Sequence, residues 1–188
     1  MRSAQITVVT KIPARSAAPC LTTYEEVCGD TPPTKDKYHE LYTKLLCHIV
    51  IRTKYSRPAI PNEHSDDLYR YMWGYIKKKK CVLYRINGMP EHIHLFVQLH
   101  PTIGVSAFVR DLKTSSHAWL DKSPNFPEFE SWSKKYAAIS YSNRDKDMIV
   151  NYIKKQREHY KAEEFSKEFR RLLDENQIEV DEQYYMEE

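Results

Sequence analysis

The sequence predicts an α+β fold of the split βαβ kind, ferredoxin-like and RRM-like. An antiparallel sheet carries helices mainly on one face, and a C-terminal helix bearing a tyrosine follows it. Three observations lead there. Short strand-like runs and stretches of helical spacing succeed one another as β-α-β-β-α-β-α. Two of the strand-like runs are separated only by a turn signal, so they should pair as a hairpin. The chain has 188 residues, 41% hydrophobic and 29% charged, which suits one globular domain with appendages.

The first strand is Leu45 to Ile51, a β-branched-rich run closed by charged residues and proline. Ser65 or Asp66 then caps a helix with Leu68, Tyr71, Met72, Tyr75 and Ile76 at helical spacing. That helix ends near Lys77 to Lys80, where cations favour a helix C-terminus; the same run also reads as a phosphate contact. Cys81 to Ile86 is strand-like, Asn87-Gly88-Met89-Pro90 is a turn signal, and Ile93 to Leu99 is the returning strand. A second helix is expected from Val105 to Leu120, with Phe108, Leu112 and Trp119 on its buried side. Ser123 to Phe129 reads as a loop and Tyr136 to Tyr141 as a strand. Asn143 or Asp145 caps a helix carrying Met148, Ile149, Tyr152, Ile153 and Gln156, and Glu163 to Asn176 forms a charged amphipathic helix before an acidic tail. The expected division is an N-terminal extension over 1–36, a catalytic domain over 37–165 and a C-terminal helix and tail over 166–188. The extension is punctuated by Pro13, Pro19, Pro32 and Pro33, with only Ile6 to Val9 strand-like.

Composition narrows the function classes. A formal net charge of +3 is too small to demand a polyanionic partner. The 14 tyrosines suit cores and interfaces, and beside basic residues they also suit stacking on single-stranded nucleic acid. Cys20, Cys28, Cys47 and Cys81 form no CxxC pair and imply no disulfide framework, so reduced thiols in a cytoplasm are expected. No apolar run approaches the ~20 residues of a membrane span, and no export signal is evident.

Two motifs carry the chemistry. In a strand, residues two apart point the same way, so His92 and His94 should project together while Ile93 faces the opposite side. Two imidazoles so placed suit one metal ion with positions left for substrate oxygen, or are simply surface histidines. Tyr152 and Gln156 stand four apart on the expected helix and share a face. The phenol is a weak nucleophile at its free pKa near ~10 and needs a neighbouring cation to make it serviceable. Gln156 offers a neutral amide oxygen to such an ion. Tyr152 alone reads as a core or interface aromatic; its company with the histidine pair suggests phosphodiester cleavage.

That combination resembles the HUH single-tyrosine transposases of the insertion-sequence 200/605 superfamily, in its insertion-sequence-200-like branch. The resemblance rests on His92-Ile93-His94 followed by Tyr152-Ile153-Lys154-Lys155-Gln156, with support from His48 to Tyr55, Asn87 to His92, Leu112 to Ser116, Gln156 to Tyr160 and Asp181 to Tyr185. Tyr160 stands where many members carry a second histidine, and the first 36 residues match no part of the pattern.

The resemblance implies that Tyr152 attacks single-stranded DNA at element ends and forms a 5′-phosphotyrosine link. His92, His94 and Gln156 would hold one divalent ion, Mg²⁺ or Mn²⁺, and no nucleotide cofactor is needed because the phosphotyrosine retains the bond energy. DNA hairpins are the implied partner. A homodimer is implied too, and sites completed in trans stay open beside sites completed within one chain. Work on the bacterial nucleoid in the cytoplasm, with no membrane partner, follows. Candidate phosphate contacts are Arg52, Lys54, Arg57, Arg110, Lys113, Ser115 and Ser116, each of which also reads as an ordinary surface group. Three other readings stay open: a domesticated relative that processes palindromes, a non-catalytic hairpin-binding protein or repressor, and a replication-initiator or relaxase nickase. The lone motif tyrosine, the small size and Gln156 in place of a third histidine weigh against the last.

Overall fold

The computed structural model describes residues 42–157 and 164–181. The expected strand at Ile6 to Val9, the rest of the 1–36 extension, Tyr160 and the acidic tail beyond Asp181 lie outside the described residues. Four strands make one sheet: β1 (Leu45–Thr53), β2 (Val82–Met89), β3 (His92–Leu99) and β4 (Trp132–Tyr141), in the order β2-β3-β1-β4. Every neighbouring pair is antiparallel. The helices are α1 (Ser65–Lys78), α2 (Val105–Leu120), α3 (Lys146–Lys154) and α4 (Phe165–Glu175), so the split βαβ order is as the sequence predicts.

Strand alternation divides the sheet into two chemically distinct faces. On one, Cys47, Ile49 and Ile51 of β1 and Ile93, Leu95 and Val97 of β3 pack against Leu68, Met72 and Ile76 of α1 and Phe108, Val109 and Leu112 of α2. This is the main core. On the other, Val50, Ala137 and Ile139 meet Phe165, Leu172 and Leu173 of α4, while Leu46 and Phe96 meet Ile149 and Ile153 of α3. The crossover helices therefore share one face, and the C-terminal pair covers the second. β1 is buried on both, which is why its sequence is a near-continuous apolar run.

Several element ends differ from expectation, those of β2, β3 and β4 most tellingly. β2 runs through the anticipated turn to Met89, and only Pro90 and Glu91 connect it to β3, whose first residue is His92. Gly88 is needed by the ladder, not by a turn: a Cβ there would stand 2.2 Å from the His92 carbonyl oxygen and 2.8 Å from Ile93 Cα. Asn87 stays in the strand because its buried amide is used elsewhere, donating to the carbonyls of Ile153 (2.9 Å) and Lys154 (3.2 Å) at the end of α3. β4 begins four residues before Tyr136, at Trp132, whose indole N–H donates to Ser116 Oγ at 2.9 Å and ties the strand to α2.

The lysine run is the C-terminal end of α1. Lys79 pairs with Asp111 at 3.1 Å, and Lys80 takes a left-handed conformation (φ 57°) as the chain leaves the helix. Asp145 precedes α3 as expected, but its carboxylate accepts hydrogen bonds from the Ser142 hydroxyl (2.7 Å) and amide (3.2 Å) instead of capping the helix. Among the described residues no helix is long and apolar enough to cross a membrane, and Cys47 and Cys81 are free thiols.

Candidate active site

β3 turns His92 and His94 to the α3/α4 side of the sheet, as their spacing predicts, and sends Ile93 into the main core. The two rings lie 5.0 Å apart between centroids, both essentially without solvent contact. Each is held from behind. Glu91 Oε1 stands 3.1 Å from His92 Nδ1, and a carboxylate can only accept, so Nδ1 carries the proton and Nε2 keeps a lone pair. His48 of β1 sits one diagonal step from His94 in the ladder, with its Nε2 2.9 Å from His94 Nδ1. With the Nδ1 proton donated to His48, His94 also presents a lone pair on Nε2. Burial holds His48 and His94 neutral: desolvation takes His48 down to about 3, and desolvation followed by the neighbouring His92 and His48 takes His94 well below its usual range. An imidazole with its Nε2 oriented by a partner on Nδ1 is the form in which histidine binds metal.

α3 brings the second motif. Tyr152 lies in its last turns; regular helix stops at Lys154, Lys155 is off-helix in ψ (φ −89°, ψ 10°), and the chain is helical again at Gln156. The interruption does not part the two side chains, because both reach one carboxylate, Glu168 of α4. The Tyr152 hydroxyl donates to Glu168 Oε1. Gln156 Nε2 lies 2.7 Å from each Glu168 oxygen and 3.4 Å from His92 Nε2. The Tyr152 ring centroid is 6.1 Å from those of both His94 and His48. Burial and then the Glu168 charge push the Tyr152 pKa well above the normal phenol range, with Arg171 opposing weakly, so the hydroxyl is protonated at neutral pH.

The donor set suits a divalent cation. One ligand atom from each of His92, His94 and Glu168 lies within 4.8 Å of the others. His94 Nε2 and Gln156 Oε1 are buried with no hydrogen-bond partner among the described residues. Unpaired buried acceptors cost free energy, and a cation satisfies them together. Imidazole nitrogen with carboxylate and amide oxygen is a set that Mn²⁺ accepts readily and Mg²⁺ more reluctantly.

The anticipated DNA contacts are spread more widely. Arg52 is directly opposite His92 in the β1–β3 register; it is 5% exposed and donates to Ser56 Oγ at 3.1 Å. Lys54 and Arg57 both pair with Glu130 and flank the exposed Tyr55 ring. Arg110 on α2 is exposed beside Asp111. Lys113 spends its ammonium on the carbonyls of Ser133, Lys134 and Lys135 at 2.8, 3.3 and 3.0 Å. Ser115 Oγ bonds the Tyr71 hydroxyl at 2.7 Å, and the buried Ser116 hydroxyl donates to the Leu112 carbonyl at 2.8 Å. Arg52 is thus the member that abuts the histidine pair, while Arg110, Lys113, Ser115 and Ser116 sit on the helix of the opposite face.

Sequence reasoning missed His48, Asn87 and Glu168. His48 shares strand parity with Val50 and Arg52, but only the register shows that it meets His94. Glu168 was visible as an acidic residue on the apolar stripe Phe165, Leu172 of an otherwise charged helix, a place where a carboxylate needs a partner.

The family model described as "Transposase IS200 like" matches residues 41–156. Among solved structures, a protein of Deinococcus radiodurans R1 provisionally classed as a transposase is similar at 24% identity, with a TM-score of 0.48, over 65% of this chain and 98% of its own. A REP-associated tyrosine transposase bound to a REP hairpin is similar at 16% identity, with a TM-score of 0.46, over 63% of this chain and 70% of its own. No curated protein matches the sequence.

Proposed function

This chain belongs to the IS200-like transposase family, and we propose that it cuts and rejoins single-stranded DNA at the hairpin-bearing ends of a mobile element, with Tyr152 as nucleophile. The observation that carries this reading is the meeting of Tyr152, Gln156, His92 and His94 around one buried point, although about sixty residues separate the two motifs along the chain. Family membership supports the transposase reading, and the convergence supports the residue roles.

In the proposed reaction the Tyr152 oxygen forms a bond to phosphorus and the bond to the 3′ oxygen breaks. The phenolic proton is released and the departing 3′ oxygen takes one up. A 5′-phosphotyrosine and a free 3′-OH result. The 3′-OH of a second strand attacks the phosphotyrosine, reseals the DNA and returns the phenol, so no nucleotide cofactor is consumed. His92, His94 and Gln156 would hold a divalent ion, Mg²⁺ or Mn²⁺, which when bound neutralises charge on the scissile phosphate. His48 and Glu91 keep the two imidazoles in the Nε2-free tautomer. Arg52, beside His92, is the first candidate for a phosphate contact; Lys54, Arg57, Arg110, Lys113, Ser115 and Ser116 follow.

The proposed site can be completed within one chain or, in a homodimer, in trans by the tyrosine helix of the partner subunit. Homodimerisation is part of the proposal, as is action on DNA in the cytoplasm. The test is incubation of the full chain with labelled single-stranded hairpin DNA and Mn²⁺, followed by a denaturing gel. A protein–DNA band that vanishes in Tyr152→Phe and in His94→Ala is expected. Persistence of the band in Tyr152→Phe excludes this nucleophile.

A further inference from the structure

Glu168 is a carboxylate sealed inside the site. It is 2% exposed, and its hydrogen bonds among the described residues come from Tyr152 and Gln156, both neutral. Burying a full negative charge against neutral donors is costly, and buried carboxylates are ordinarily paired with a cation or bound to a metal. Its neighbours carry the complementary deficit. His94 is 1% exposed and its Nε2 lacks a partner among the described residues; Gln156 Oε1 is equally buried and equally unpartnered. Gln156 turns its N–H₂ group toward His92 Nε2 and the carboxylate, and a half-turn of the amide would aim Oε1 at the same point. Glu168 also comes with a rigid mount: Phe165, one turn earlier on α4, stacks on the His92 ring at 4.0 Å between centroids, and Leu172 and Leu173 are buried against β1 and β4.

We propose that Glu168 is a direct ligand of the divalent ion, so that the site comprises His92, His94, Gln156 and Glu168, with α4 supplying the one anionic donor. This rests on the metal-dependent reading above and deepens it. Two imidazoles and an amide are a neutral set poorly matched to a hard ion; adding a carboxylate raises affinity for Mg²⁺ and Mn²⁺ through charge and oxygen character. The same contact makes α4 part of the catalytic unit, because the Tyr152 hydroxyl bonds the carboxylate that would touch the ion.

The experiment titrates the full chain with Mn²⁺ alone and follows loss of the free-ion EPR signal, for wild type, Glu168→Gln, Glu168→Asp and His94→Ala, with thermal melts as a folding control. Weakening by about tenfold or more in Glu168→Gln is expected, as in His94→Ala, with partial recovery in Glu168→Asp. Affinity of Glu168→Gln within twofold of wild type, or tighter, overturns the proposal. Should Glu168→Gln fail to fold, ENDOR on wild type carrying ¹³C-carboxyl glutamate decides: a hyperfine coupling to bound carboxylate carbon is expected with Mn²⁺, and its absence overturns the assignment. The nucleophile is tested separately. A wild type that forms the DNA adduct while Glu168→Gln binds Mn²⁺ unchanged removes Glu168 alone. A wild type that binds Mn²⁺ through Glu168 yet forms no adduct supports the ligand and removes the proposed reaction.

Discussion

Gly88→Ala tests the claim that the start of β3, and with it the histidine pair, is set by a close backbone approach from β2. The added Cβ would lie 2.2 Å from the His92 carbonyl oxygen, about 1 Å inside an ordinary carbon–oxygen contact. The obstacle is backbone on both sides, so no side chain can swing away. Relief requires β2 and β3 to part where Gly88 faces Ile93 and Met89 faces His92. Two weakened ladder bonds at about 1 kcal/mol each and about 1–3 kcal/mol of overpacking are offset by about 0.5–1 kcal/mol from a stiffer unfolded chain. The net is about 2–4 kcal/mol of destabilisation, or about 5–15 °C in melting temperature for a chain of this size. Gly74→Ala is the matched control. Gly74 lies inside α1, and beyond the helix's own backbone no heavy atom comes within 4 Å of a methyl group added there, so alanine should stabilise by about 0.5–1 kcal/mol. Thermal melts of the two variants should move in opposite directions, and Gly88→Ala should also bind Mn²⁺ more weakly because His92 shifts with the strand. A Gly88→Ala protein that melts at or above wild type refutes the strand geometry.

Replacing His48 by leucine should weaken Mn²⁺ binding about 10–100-fold by freeing the His94 ring to rotate, measurable by the same EPR titration; unchanged affinity would remove His48 as a positioning residue. Phe165→Ala should cost about 3–5 kcal/mol in a thermal or denaturant melt, since a ring stacked on His92 and buried under α4 is lost, and a loss below about 1 kcal/mol would show that α4 is not docked there. Lys113→Met should lower stability by about 1–3 kcal/mol through loss of the charged donor to three carbonyls of β4. If Lys113 instead serves mainly as a phosphate contact, that variant keeps its melting temperature and loses salt-dependent DNA affinity.

The order of elements was legible because burial on two faces leaves its mark on composition: β1 is a near-continuous apolar run, and α1 and α2 carry apolar stripes at helical spacing. The side-by-side projection of His92 and His94 follows from strand parity alone. Boundaries were less legible. Asn87-Gly88 is the pattern of a tight turn, and nothing local reveals that the asparagine amide is wanted by α3 and the missing Cβ by β3. The long-range partners His48 and Glu168 were not legible without the register and the placement of α4. His48 meets His94 only because β1 and β3 pair with Arg52 opposite His92. Glu168 meets the site only because α4 folds back across the second face, and Ser116 and Lys113 turn inward because β4 starts at Trp132.

The two faces of the sheet divide stability from chemistry. The α1/α2 side is continuously apolar, whereas the α3/α4 side surrounds His48, His92, His94, Gln156 and Glu168 with smaller apolar clusters. A buried polar group without full partners disfavours the folded state, and this face holds several. What offsets the cost locally is apolar contact made by the very segments that carry the polar groups: Ile149 and Ile153 beside Tyr152, Phe165 and Leu172 on either side of Glu168. Occupancy by a cation would satisfy the unpartnered acceptors and add binding free energy to the folded state. Mn²⁺ should therefore raise the melting temperature of wild type, and the rise should shrink in His94→Ala. A melting temperature indifferent to Mn²⁺ at concentrations that support DNA cleavage would mean that the polar face is held together without the ion.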